Sequence, residues 1–331
     1  MSVSPTPVTV RRGPISAAAG SARARLQPPD VVLRRARRYQ WLRRCSLSVS
    51  LLFVVGLPLW QLRAAAAASG GLTGGGAWGW LAAALGLPAR PPSVVGAPAA
   101  VSLFRLEFLD PLLLLGVAVA HGLRGELLLV ALPALILVVL LGRFFCGWVC
   151  PYVPLLAASN ALRWLLGRAG LAPPDIRLPR RTSLAVLLAV LAATAVLGTQ
   201  VPPLLYPPSL IGREAFRAIF FGSFGAGALV VGAAFAFDSF VSRAGFCCSV
   251  CPGGALFTLL AAVSPFGVRR DASRCTDCTV CDVVCNLGQR PMSDRLDAGC
   301  ERCGKCVSAC PTGALHLGPT RHPASGPKVS G

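Results

Sequence analysis

CTDCTVCDVVC occupies residues 275–285 and CERCGKCVSACP occupies residues 300–311. Both runs have the form C-x2-C-x2-C-x3-C. Three thiolates on one tight loop reach three irons of a single cubane, and the fourth iron must be reached from elsewhere. In paired runs of this spacing the fourth Cys ligates the other cluster. The expected sets are Cys275, Cys278, Cys281 and Cys310 for one [4Fe–4S] cluster, and Cys300, Cys303, Cys306 and Cys285 for the other. The alternative, a zinc site, ordinarily uses two separated CxxC pairs. Pro311 follows Cys310, whereas Asn286 stands at the matching position of the first run. That difference bears on how the cluster is shielded, not on its ligation.

Upstream lie two further motifs of the form CxxxCP, in FFCGWVCP (144–151) and AGFCCSVCP (244–252). Proline is favoured in the first helical turn, so Cys150 and Cys251 are expected at helix N-termini. Backbone N–H groups and the dipole there lower a thiol pKa, and Arg143 and Arg243 would add to this. The motifs belong to an internal repeat: an apolar span, an Arg, the cysteines, then a short apolar stretch (153–166 and 254–263). Two spans separate the copies, so Cys146, Cys150, Cys247 and Cys251 share one face. They are read as ligands of a third cluster, as cycling dithiols or as a docking point for a redox partner; helix-end packing is the structural alternative. Cys45 and Cys248 lack a partner pattern and are read as inert.

All these motifs together use twelve of the 14 cysteines. Such short spacings make poor disulfide staples, and the thiols must stay reduced, which argues for the cytoplasmic side.

Hydrophobic residues make up 54% of the 331-residue chain and charged residues 14%, against about 25% charged in soluble domains. This composition is that of a membrane protein. The net charge is +19, but the basic residues flank apolar runs instead of forming a solvated face, so nucleic acid is not expected. Spans are expected at 45–62, 127–145, 183–201 and 218–237. Residues 111–120 are apolar but too short to cross, since a crossing takes about 20 residues; they read as a re-entrant or interfacial segment. Ten Arg precede the first span, six lie in 143–182 and ten Lys or Arg follow Arg243 inclusive, against six on the opposite side. That asymmetry puts both termini inside. Tyr39 and Trp41 in RRARRYQWLRR (34–44) read as interfacial anchors. Arg11 and Arg12 are not followed by an apolar core, so no cleavable signal is expected.

The expected fold is a polytopic α-helical membrane protein of about four spans with a C-terminal α+β two-cluster ferredoxin-like domain. Its expected parts are a disordered basic segment (1–33), a transmembrane domain (34–266), the ferredoxin-like domain (267–316) and a flexible tail (317–331). Asp110 and His121, bordering the apolar segment, are candidates for a quinone region at the outer face, because ionisable groups at such places are functional by default.

The chain resembles the NapH/MauN family of ferredoxin-type membrane proteins. The resemblance rests on DPLLLLGVAVAH (110–121), GRFFCGWVCP (142–151), PPSLIGR (207–213), FD (237–238), CCSVCPGGAL (247–256) and both ferredoxin runs. Cys248 departs from the usual Gly. The resemblance implies a bacterial inner-membrane electron-transfer subunit, not a stand-alone enzyme, linking quinol to a membrane or periplasmic redox partner in nitrate reductase or methylamine-utilisation systems. The alternatives are a maturation factor supplying electrons to a metalloenzyme or disulfide client, and a redox-sensing regulator, for which no sensor domain is evident.

Overall fold

The computed structural model describes residues 29–68, 94–97, 100–103, 106–123, 125–171, 173–291 and 299–319. The expected N-terminal segment up to residue 28, residues 69–93 and the expected tail from residue 320 lie outside the described residues.

The basic stretch and the first expected span form one helix, α1 (Pro29–Ala68). Its stretch Asp30–Leu62 is the one described helix long and apolar enough to cross a membrane. A three-stranded antiparallel meander follows: β1 (Val94–Ala97), β2 (Ala100–Leu103) and β3 (Leu106–Leu109), with Val94 opposite Leu103 and Ala100 opposite Leu109. It delivers the chain to Asp110, which caps α2 (Pro111–His121) by accepting from the Leu112 N–H at 2.8 Å. Side-chain capping of this kind satisfies an otherwise orphaned donor.

Helix α3 (Gly125–Leu141) is shorter than its expected span, because Gly142 takes φ +62 and turns the chain. A Cβ there would lie 1.9 Å from the Arg302 guanidinium, so the turn requires glycine. Helices α4 (Phe144–Trp148) and α5 (Val153–Arg168) carry the first CxxxCP motif and its sequel. Helix α6 (Arg180–Leu197) stops at Gly198, φ +61.

The expected span 218–237 is two helices instead, α7 (Pro207–Phe221) and α8 (Ala226–Phe240). Gly222, at φ +63, donates its N–H to Ala218 O and closes α7, the usual glycine C-cap. A π-helical turn (Phe246–Val250) and α9 (Pro252–Ala261) complete the second repeat. Helices α2, α3, α8 and α9, with Arg181–Leu197 of α6, are shorter apolar helices. They pack as α2 on α3 and α6, α5 on α8, α7 on α1 and α8, and α9 on α3 and α6. Leu112, Tyr152, Leu156, Leu187, Tyr206 and Phe246 share the buried core between them.

The C-terminal unit is bracketed by antiparallel strands β4 (Phe266–Arg270) and β5 (Leu315–Pro319), with Arg270 opposite Leu315. Helices α10 (Val280–Val283) and α11 (Lys305–Ala309) lie between them. Helix α1 packs on α11, and a Cβ at Gly304 would meet the Tyr39 ring at 2.8 Å.

Candidate iron–sulfur and thiol site

Both four-cysteine loops bend in the same way. Asp277 and Thr279 in the first, and Arg302 and Gly304 in the second, all have positive φ, at 51°, 60°, 52° and 75°. These are equivalent positions around the second Cys of each run. Left-handed backbone at a non-glycine residue is uncommon and persists where the surroundings fix it. Its repetition gives the two loops the same backbone bend around the second Cys. Arg302 N donates to Cys300 Sγ at 3.4 Å, and the backbone N–H groups of Leu287, Gly288 and Gln289 lie near enough to favour the charged form of Cys285, as those of Thr312, Ala314 and Leu315 do for Cys310. Negative charge on Cys300, Cys303 and Cys285 raises Cys306, so these four thiols lie close together. Burial pushes Cys300 up to about 11 and Cys281 up to about 12. Among the described residues no three His, Cys, Asp or Glu side chains converge on one ion. The donor set and its N–H···S shell fit [4Fe–4S] ligation.

The two CxxxCP motifs share a backbone signature. Cys150 N donates to Phe145 O at 3.0 Å and Cys251 N donates to Phe246 O at 2.8 Å, five residues back in each case. Cys251 caps α9, and its Sγ accepts from Gly254 N at 3.4 Å. Cys150 differs from expectation: it precedes α5 by a turn, the cap being Tyr152 and Pro154 falling in the first helical turn. All four cysteines line one cavity of about 20 Å³, together with Arg143, Glu301, Tyr152 and Tyr206. The starts of α5, α7 and α9 meet at this cavity, so three positive dipole ends face it.

The thiols are nonetheless not depressed. Burial pushes Cys146, Cys150 and Cys247 up, and Cys251 up to about 12. Desolvation outweighs the opposing pull of Arg143 on Cys146. Arg243 gives its backbone N–H to Asp175 Oδ1 at 2.9 Å and does not line the four-cysteine cavity.

A family model described as "4Fe-4S binding domain" matches residues 123–169 and 221–270, and a second with the same description matches 298–316. The "Ferredoxin-type protein NapH" of Escherichia coli K12 is 33% identical over 51% of this chain and 59% of its own length. The "Methylamine utilization ferredoxin-type protein MauN" of Methylorubrum extorquens is 35% identical over 47% of this chain and 51% of its own. This chain is a relative of NapH and MauN. A "Putative electron transport protein YccM" of E. coli K12 is 29% identical over 61% and 58%. The chain thus spans between half and three-fifths of these relatives. No solved structure matches.

The first family-model match covers both CxxxCP motifs of this NapH- and MauN-like chain. Around them stand residues that the motif reading missed. Tyr152 Oη donates to Asp238 Oδ2 at 2.8 Å, and Phe246 N donates to Asp238 Oδ1 at 2.8 Å. Tyr206 Oη donates to Asp110 Oδ2 at 2.7 Å. Two Tyr–Asp pairs thus flank the four-cysteine cavity. Asp238 at the foot of an apolar helix was a legible signal, since a charge in such a place needs a partner. Glu301 is buried, at 3% exposure, between Cys300 and Cys303. Asp110 and His121 are not brought together: they bound opposite ends of α2, about 16 Å apart at the helical rise, with Asp110 buried and His121 exposed.

Proposed function

We propose that the chain is an inner-membrane electron-transfer subunit that carries electrons between quinol and a redox partner, as the NapH and MauN names suggest for a ferredoxin-type protein. The chain crosses the membrane four times, through α1, α3, α6 and α8, while α2 and α7 enter part-way. The C-terminal unit lies on the cytoplasmic side. Cys275, Cys278, Cys281 and Cys310 hold one [4Fe–4S] cluster, and Cys300, Cys303, Cys306 and Cys285 hold the other. Such clusters supply one-electron transfer at potentials set by charge and N–H···S bonds. His121 remains the quinone-region candidate at the outer face; Asp110 serves the interior.

The observation that carries this reading is the shared cavity. Cys146, Cys150, Cys247 and Cys251 meet there beside Glu301 of the second ferredoxin run. Gly147 backs directly on that run, a Cβ there lying 2.9 Å from Glu301 O. The membrane domain and the cluster loop thus touch at the thiols, which act as one redox unit. The 4Fe-4S match over 123–169 and 221–270 supports a third cluster. The small cavity, about one water in size, supports direct dithiol chemistry, in which two thiols would become one disulfide, their two electrons passing one to each ferredoxin cluster and their two protons leaving to water.

The test is EPR of anaerobically purified protein with iron and sulfide quantified, before and after adding a quinol. Cys146→Ser, Cys247→Ser, the double variant and His121→Ala are compared with wild type. Residues acting as a unit give non-additive losses, so each single cysteine variant is expected to lose about as much quinol-driven reduction as the double. Iron falling by one cluster's worth selects the third cluster. Stoichiometric zinc without iron, or near-wild-type reduction in all three cysteine variants, overturns the reading. Unchanged reduction in His121→Ala removes His121 from it.

A further inference from the structure

We propose that a second pocket, between the second CxxxCP loop and the ferredoxin-like unit, binds a phosphate group carried on an organic ligand. The pocket measures about 550 Å³, within the range of roughly 300 to 1,000 Å³ typical of small-molecule sites. Arg143, Arg177, Arg243 and Arg290 line it together with the hydroxyls of Ser242 and Ser249, and no carboxylate among the described residues does so. Four guanidinium groups around one concavity make it a positively charged wall suited to an anion.

Two of these groups are held in place. Arg143 is 3% exposed and gives its Nη groups to Gly299 O at 3.0 Å and Cys247 O at 3.3 Å, so it contributes a fixed positive charge to the wall. Arg177 is held in place by Gly288 O at 3.1 Å and Asp175 at 3.5 Å. Arg243 has its backbone N–H engaged by Asp175, and its guanidinium has no ion pair among the described residues. Guanidinium forks match the tetrahedral oxygens of phosphate bidentately. The volume exceeds that of bare phosphate, and Leu178 and Leu287 on the wall suit an organic body. Two sources offer this chemistry: the headgroup of an anionic phospholipid at the inner surface, where basic pockets between helices bind such groups, and a soluble phosphoester.

The experiment uses the full-length, iron-loaded protein in nanodiscs of phosphatidylcholine, alone or mixed with phosphatidylglycerol. Adenosine monophosphate is the soluble probe, added to the phosphatidylcholine discs. The readouts are Tm and probe affinity. At least one probe is expected to raise Tm, with affinity weakened tenfold or more in Arg177→Gln/Arg243→Gln and retained in Arg37→Gln/Arg38→Gln on α1. Response to phosphatidylglycerol alone identifies the lipid source, and response to the nucleotide alone identifies the soluble one. Arg243→Gln by itself serves if the double variant fails to fold. No rise with either probe, a pocket variant that responds as wild type, or equal loss in the α1 variant overturns the proposal.

Discussion

Arg143 joins three parts of the chain. It donates to Gly299 O at 3.0 Å and to Cys247 O at 3.3 Å, and its charge offsets that of buried Glu301. Losing Arg143 removes both hydrogen bonds and the largest of the charges offsetting Glu301, with Arg43 and Lys305 remaining; a hydrogen bond from a charged group is worth about 1.5 to 3 kcal/mol. Arg143→Gln is therefore expected to destabilise by at least about 3 kcal/mol, with part of the loss recovered in Arg143→Gln/Glu301→Gln. Thermal unfolding of the single and double variants checks this, and a fully additive pair would contradict it. The Tyr–Asp pairs give a second prediction. Tyr152→Phe and Tyr206→Phe each remove one hydrogen bond to a carboxylate, worth about 1.5 to 3 kcal/mol. Each carboxylate keeps a backbone donor, Phe246 N for Asp238 and Leu112 N for Asp110. The two losses should match in size if the repeat is mechanical as well as sequential; denaturation midpoints read this directly.

At the scale of elements, α4 is where the C-terminal unit meets the helices that precede it. Trp148 Nε1 donates to Arg302 O at 3.2 Å, and Arg43 of α1 donates to Gly147 O at 3.0 Å. Gly147→Ala would put a methyl 2.9 Å from the Glu301 carbonyl, and a backbone group cannot yield cheaply. The expected result is that residues 299–303 separate from α4, seen as faster amide hydrogen exchange there. Gly167 is the control: it lies inside α5 with nothing within 4 Å of an added Cβ. Gly167→Ala should stabilise by about 0.5–1 kcal/mol through helix propensity and leave exchange at 299–303 unchanged.

Over the whole molecule the repeat is larger than its cysteines. Asp110-Pro111 starts α2 and Pro207-Pro208 starts α7. Each short helix leads outward to a glycine and is followed by a longer helix running back toward the cysteines: α3 to Arg143 and α8 to Asp238. The membrane reading makes both short helices half-crossings and leaves the terminal units on one face. A C-terminal alkaline phosphatase fusion is therefore expected to be inactive, and a fusion after Gly222 active; activity at the C-terminus would invert the topology. The 26 basic residues on the proposed inner segments supply the orientation.

The two four-cysteine runs and the two CxxxCP motifs are legible in the chain because their spacing is local: a pattern within one loop needs no tertiary information. The apolar character of α1, α3, α6 and α8 was equally legible, since burial in lipid or protein core leaves the same compositional mark. The break at Gly222 was harder to see, because apolar residues continue on both sides and only the left-handed turn separates α7 from α8. The cavity belongs to the tertiary structure alone. Cys146 and Cys247 are a hundred residues apart, and Tyr152 with Asp238 and Tyr206 with Asp110 are nearly as distant. The expectation of lowered thiol pKa followed from helix ends and nearby Arg residues. Its reversal comes from desolvation, which depends on what every other element places around the sulfur atoms and which no local pattern encodes.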